Sequence, residues 1–251
     1  MIQSLRPYLA EVLRRLEDTL GENLEGLYIQ GSCAHNAFRE GLSDLDLIAI
    51  CAEPLADNMK TEVNRCLLNS ALPVPASGLE LVVVTAESAK SADPAPAYEL
   101  MILTGPNWPD SLETSGRASE LLIDFGICRQ KGIALKGPAP LDVFAEPDPL
   151  LVRQALVQAM TWHRAKILDT FHDPDGQNSI LNACRALLYH SEGRFASKDE
   201  GGEWFLSARP GCTLVQSALA KRAGVKAPIP EITQVDDFLR DAIERLDNMR
   251  A

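Results

Sequence analysis

The feature that most constrains this chain is a change of periodicity at Pro147-Asp148-Pro149. Before it, short valine-, isoleucine- and leucine-rich runs alternate with helical patterns; beyond it, every apolar pattern has helical spacing. That arrangement predicts an N-terminal α/β domain over residues 1–147, a mixed sheet with helices, and an all-α domain over residues 148–251. In the first part Leu5, Leu9, Val12, Leu13, Leu16 and Leu20 trace one amphipathic helix, which Gly21 ends. Strands are expected at Leu24–Gln30, Leu42–Ile50, Leu79–Thr85 and Tyr98–Leu103, with a short extended piece at Ile133–Leu135. Residues 56–70 and 120–131 read as helices, and Ser88 to Ala97 as a loop. In the second part helices are expected at Leu150–Phe171, Asn178–Glu192, Ser197–Leu206, Thr213–Ala223 and Ile232–Met249. Ser197 followed by Glu200 has capping-box spacing.

With 251 residues, 46% of them hydrophobic, the chain has ample material for real cores. No apolar run reaches membrane-spanning length, and the charged first twenty residues read as neither a signal peptide nor an anchor. The six cysteines form no Cys-x-x-Cys pair and no zinc-like cluster with histidine, so reduced thiols and a cytoplasmic location are expected. A net charge of −11 without a Lys/Arg-rich run argues against a nucleic-acid partner. It favours a metal–nucleotide complex or a cationic acceptor, or serves solubility alone. No membrane partner is expected, and the protein is expected to be a monomer.

The chemistry concentrates in three acids. Asp44 and Asp46 fall two apart in an expected strand, so both carboxylates project from one face. Two anions so close repel unless a cation lies between them, and hard oxygen ligands suit Mg²⁺, which also binds triphosphate oxygens. Gly31-Ser32 follows the preceding strand, where a glycine lets backbone approach a phosphate and a hydroxyl can hold its oxygens. Glu80 interrupts the apolar run Leu79–Val84, an expensive place for a carboxylate without a cation or a proton-transfer partner. Each feature also has a plain reading, as solvated aspartates or an outward-facing edge residue. Together they are the parts of a metal-dependent phosphoryl-transfer site.

Gly31-Ser32 followed by Asp44-Leu45-Asp46 resembles the signature of the nucleotidyltransferase superfamily related to DNA polymerase β. Further along, Gly132–Pro138, Asp142–Phe144, Asn178 with Arg185, Ala196–Asp199 and Glu203-Trp204 resemble the aminoglycoside adenylyltransferases that inactivate streptomycin and spectinomycin. The resemblance runs in order over nearly the whole chain. It implies transfer of AMP from ATP to an antibiotic hydroxyl, with two Mg²⁺ ions held by Asp44, Asp46 and Glu80, and Glu80 as general base. It implies that Gly31, Ser32, Arg185 and Lys198 contact the nucleotide's phosphates, and that Glu80, Asp175, Asn178 and Trp108 meet the drug. Trp108 fits the family pattern only with a gap. Two alternatives stay open: the same transfer to another small molecule or a protein, and a non-catalytic nucleotide-binding module.

Overall fold

The computed structural model describes residues 3–167 and 173–248. Contacts divide the chain into two compact units, Met1–Pro147 and Asp148–Ala251. The first unit opens with α1 (Arg6–Leu20), whose Leu9, Val12, Leu16 and Leu20 are buried at helical spacing. There follow β1 (Leu24–Ile29), the one-turn α2 (Gly31–Ala34), β2 (Leu45–Cys51), α3 (Asp57–Leu67) and β3 (Leu79–Thr85). The short α4 (Ala86–Ala89) and β4 (Ala97–Tyr98) lead into β5 (Leu100–Gly105), β6 (Trp108–Glu113) and β7 (Gly116–Arg117). The unit closes with α5 (Leu121–Lys131), β8 (Ile133–Lys136) and α6 (Pro140–Val143).

Six of these strands form one mixed sheet in the order β6-β5-β3-β2-β1-β8, and β4 pairs separately with β7. Within the sheet β2 and β3 run parallel and the other neighbours antiparallel. Strand alternation gives the sheet two apolar faces. Leu45, Leu47, Ala49, Leu79, Leu81 and Val83 pack with Leu9, Val12 and Leu16 of α1 and Val63 and Leu67 of α3. On the opposite face Tyr28, Ile48, Ile50, Val82 and Val84 pack with Leu121, Phe125 and Cys128 of α5 and with Phe144. Each leucine or phenylalanine so buried contributes about 1.5–3 kcal/mol.

The second unit is helical: α7 (Pro149–Ala165), α8 (Gln177–Glu192), α9 (Lys198–Ala208), α10 (Thr213–Arg222) and α11 (Ile232–Asp247). Helix α8 is central and touches the other four, burying Ile180, Leu181, Cys184, Leu187 and Leu188. Asp148 caps α7 by accepting from Leu150 N at 2.8 Å, with Pro149 in the first turn. The Ser197 capping box forms as the spacing predicts.

The expected mixed sheet with a helical C-terminal part is therefore what the chain adopts, with corrections in detail. The second strand begins at Leu45, so Asp44 sits just before it. The Ser88–Ala97 loop holds a helical turn and the start of a two-residue strand. Strand β6 carries no strand signal in the sequence, because it is a polar, largely exposed edge strand containing Pro109. The expected Leu150–Phe171 helix ends at Ala165, and residues 168–171 lie outside the described residues, as does Met249.

Candidate active site

The turn from β1 into α2 is tied to β2 by backbone and side chain together. Gln30 N donates to Asp46 O at 3.0 Å, and the buried Gln30 side chain accepts from Gly31 N at 2.9 Å through Oε1. Gly31 has φ +59°, and a Cβ on it would lie 1.8 Å from Asp46 Oδ2. The glycine is thus required twice, for its left-handed backbone and for the room that the Asp46 carboxylate takes up. Ala37 N, donating to Ser32 O at 2.9 Å, closes the turn. The Ser32 hydroxyl oxygen is buried without a hydrogen-bond partner among the described residues. Such an orphan costs about 1–3 kcal/mol unless a ligand supplies the missing bond.

In the parallel register of β2 and β3, Asp46 lies directly beside Glu80. Asp44, two residues earlier, shares their face, which is the face of Ile48, Ile50, Val82 and Val84. Helix α5 covers this face, and Asp124 falls on the stripe formed by its Leu121, Phe125 and Cys128. Burial, and then the charges of Asp46, Asp124, Glu120 and Asp44 in that order, hold Glu80 well above the ordinary carboxylate range. All the charges acting on it are anions, so without a cation Glu80 holds its proton to higher pH than an ordinary carboxylate.

Among the described residues no three His, Cys, Asp or Glu side chains close into a ready-made metal cage. Mg²⁺ is commonly held by one or two carboxylates together with substrate phosphates and water. The half-buried Asp44 and Asp46, the crowded Glu80 and the orphaned Ser32 hydroxyl are the donor set such a metal–phosphate ligand needs.

Trp108, the first residue of β6, pairs with Gly105 at the same end of the sheet. Its ring covers Gly78, where a Cβ would lie 2.5 Å from Trp108 Cε3. Gly78 O accepts from Leu45 N at 2.9 Å, and Gly78 precedes Glu80 by two residues. The half-exposed indole therefore stands over Gly78, on the acid-bearing face.

In the second unit Arg185 is anchored on α8: Nε donates to Ala196 O at 2.8 Å and Nη1 to Asn182 Oδ1 at 3.0 Å. Lys198 begins α9, two residues after Ala196 and directly after the Ser197 cap. Asn178 N donates to the buried Asp173 carboxylate at 2.9 Å, and Asn178 Oδ1 accepts from Asn182 Nδ2 at 3.3 Å. Asp175 has other partners. It accepts from Gln177 N at 3.1 Å, and its Oδ2 is 3.8 Å from Nζ of the buried-stemmed Lys221.

Gly31, Ser32, Asp44, Asp46, Glu80 and Trp108 thus come together in the first unit, and Asn178, Arg185 and Lys198 in the second. Reading the sequence missed Gln30, Glu120, Asp124, Asp173, His163 and Asn182. Asp124 had a signal, an acid inside the apolar stripe of α5, and Asn182 another, one turn from both Asn178 and Arg185. Gln30 had none. His172 lies outside the described residues, and His163 bonds Asn182. All six cysteines are free, and burial pushes the Cys33 and Cys51 thiols up to about 12, so they stay unreactive.

Residues 149–245 match the sequence family described as the aminoglycoside adenylyltransferase C-terminal domain. A spectinomycin 9-adenylyltransferase from Enterococcus faecalis is 24% identical over 215 residues, 80% of this chain and 79% of that protein. The crystal structure of an E. faecalis spectinomycin adenyltransferase with ATP and spectinomycin superposes with a TM-score of 0.73 at 20% identity, covering 97% of this chain and 99% of that one. The fold is shared over essentially the whole length, the helical unit matches the C-terminal domain of the aminoglycoside adenylyltransferases, and the chain is a nucleotidyltransferase.

Proposed function

We propose that this enzyme transfers AMP from MgATP to a hydroxyl of a small cationic aminocyclitol antibiotic, streptomycin or spectinomycin, and so confers resistance. The names of its relatives make spectinomycin the first acceptor to try. The observation that carries the reading is the pairing of Asp46 with Glu80 across β2 and β3, beside the orphaned Ser32 hydroxyl. Asp44 and Asp46 would hold Mg²⁺, with Glu80 at their edge; the ion would offset charge gathering on the triphosphate oxygens. Ser32 donates its hydroxyl to a phosphate oxygen. Glu80 would take the proton of the acceptor hydroxyl. That oxygen bonds to the α-phosphorus as the bond to pyrophosphate breaks. Arg185 and Lys198 neutralise phosphate charge, and the α/β unit serves as transferase domain with the helical unit as clamp. Trp108 supplies an apolar or cation–π wall for the drug, and Asp175 and Asn178 hydrogen-bond its amino and hydroxyl groups.

The test is incubation of the protein with MgATP and each antibiotic, with pyrophosphate release followed by mass spectrometry of the drug. An adenylyl adduct is expected on one of them. Normal ATP binding without any adduct would leave a nucleotidyltransferase with a different acceptor.

A further inference from the structure

Arg185 is held more tightly than a surface phosphate-binding cation needs to be, and the group that holds it is itself held. An arginine side chain only donates, so the oxygen of the Asn182 amide must face it. The amide nitrogen then points the other way, 2.9 Å from Nε2 of the buried His163 on α7 and 3.3 Å from Asn178 Oδ1 one turn earlier on α8. His163 Nε2 must therefore accept, which places its ring proton on Nδ1. Two groups behind Asn182 fix which way its amide is turned, and Asn182 in turn fixes the guanidinium.

We propose that Asn182 is a positioning residue for nucleotide binding, acting through Arg185. This rests on the reading of Arg185 as a phosphate-binding group. The bond from Nε to Ala196 O fixes one point of the guanidinium. The second bond, from Nη1 to Asn182, fixes its plane. Ala196 also leads through the Ser197 cap to Lys198, so the same pair of bonds sets Arg185 against the entry to α9. A planar donor fixed in advance loses less freedom on meeting a phosphate.

The experiment is a double-mutant cycle on the full chain, reading the Kd for MgATP by calorimetry and the steady-state KM and kcat. Asn182→Leu is expected to weaken MgATP binding about tenfold, the weight of one hydrogen bond to a charged group, with kcat changed far less. Asn182→Asp keeps an acceptor toward Arg185, with His163 turning its Nε2 into a donor by exchanging tautomers and Asn178 turning its amide nitrogen toward the carboxylate, so this variant should restore part of the affinity, short of the parent because the new anion offsets the charge of Arg185. In an Arg185→Ala background Asn182→Leu should have almost no further effect, because the group it positions is gone. Asn182→Ala runs the same cycle if the leucine disturbs folding. Weakened binding with Arg185→Ala but unchanged binding with Asn182→Leu overturns the positioning role alone. Additive losses in the double variant overturn it too, since Asn182 would then act on its own. Unchanged binding with Arg185→Ala removes the reading of Arg185 and this inference with it.

Discussion

The two units treat charge in opposite ways. On the acid face of the sheet, Asp44, Asp46 and Glu80 are pressed together with Asp124 and Glu120 nearby, and the charges acting on Glu80 are all anions. In the helical unit nearly every functional candidate is already engaged: Arg185 with Asn182 and Ala196, Asp175 with Gln177 and Lys221. A cation would relieve the crowding in the first region, whereas the second is built before its ligand arrives. Substitutions in the first should raise metal-free stability while destroying function. In the second they should lower affinity and leave stability level or reduced.

The largest effect is expected at the aspartates. Asp44→Asn and Asp46→Asn should each abolish transfer, an effect of roughly several kcal/mol on the transition state. Thermal melting of the metal-free protein should hold or rise, because repulsion is relieved. Turnover near normal at ordinary Mg²⁺ would remove these residues from the metal site.

Glu80→Gln should keep MgATP affinity and lose about 10²–10⁴-fold in kcat, the usual worth of a general base. It should also flatten a pH dependence. The folded chain keeps a proton on Glu80 that the unfolded chain releases from the ordinary carboxylate value upward. Unfolding free energy therefore falls as pH rises until the raised folded value is passed. Urea melts of the metal-free protein between about pH 5 and 8 should show that decline, and Glu80→Gln should show a shallower one, the remainder coming from Glu120, whose carboxyl burial also raises. A variant with the same slope as the parent would mean that another group holds the proton.

Gly31→Ala probes the scaffold between the two effects. Its Cβ would strike the Asp46 carboxylate, and its φ is left-handed, so about 1–2 kcal/mol of stability should go along with most activity. Crystals of the variant should show Asp46 displaced. An Asp46 in its original place with full turnover would show that the room over Gly31 is not needed.

In the helical unit Arg185→Ala should raise the KM for ATP by an amount equivalent to about 1.5–3 kcal/mol, with melting unchanged. The smallest effect is expected from Asp175→Asn. Lys221 already offsets part of that charge, so drug affinity should fall about tenfold or less and ATP affinity should not move. Calorimetry with drug in the presence of MgATP checks it, and a loss of ATP affinity instead would assign Asp175 to the nucleotide.

The same contrast explains what could be read from the sequence. Strand alternation put Asp44 and Asp46 on one face because a period of two leaves little freedom once the apolar partners are known, and it left Glu80 on a neighbouring strand. The register that sets Asp46 beside Glu80 is a tertiary fact, as is the space over Gly31 that Asp46 takes. Gln30 looked like the end of a strand, since its role arises only when its side chain folds back onto Gly31 N. Strand β6 was invisible because an exposed edge strand has no apolar face to reveal it. In the helical unit Arg185 and Lys198 were found through family resemblance, because a lone cation on an amphipathic helix looks like solvated surface. Asp175 illustrates the converse, a residue picked for a drug contact that also serves the start of α8 and Lys221.

The central claim is that the paired acids of β2 and β3 carry out adenylyl transfer to an aminocyclitol. Its most direct test is mass spectrometry of spectinomycin and streptomycin after incubation with MgATP and either the parent protein or Asp46→Asn. The account predicts that one drug gains a single adenylyl group, with matching pyrophosphate, in the parent reaction and neither does with the variant. Equal modification by both proteins, or none by the parent while it binds MgATP, would contradict it.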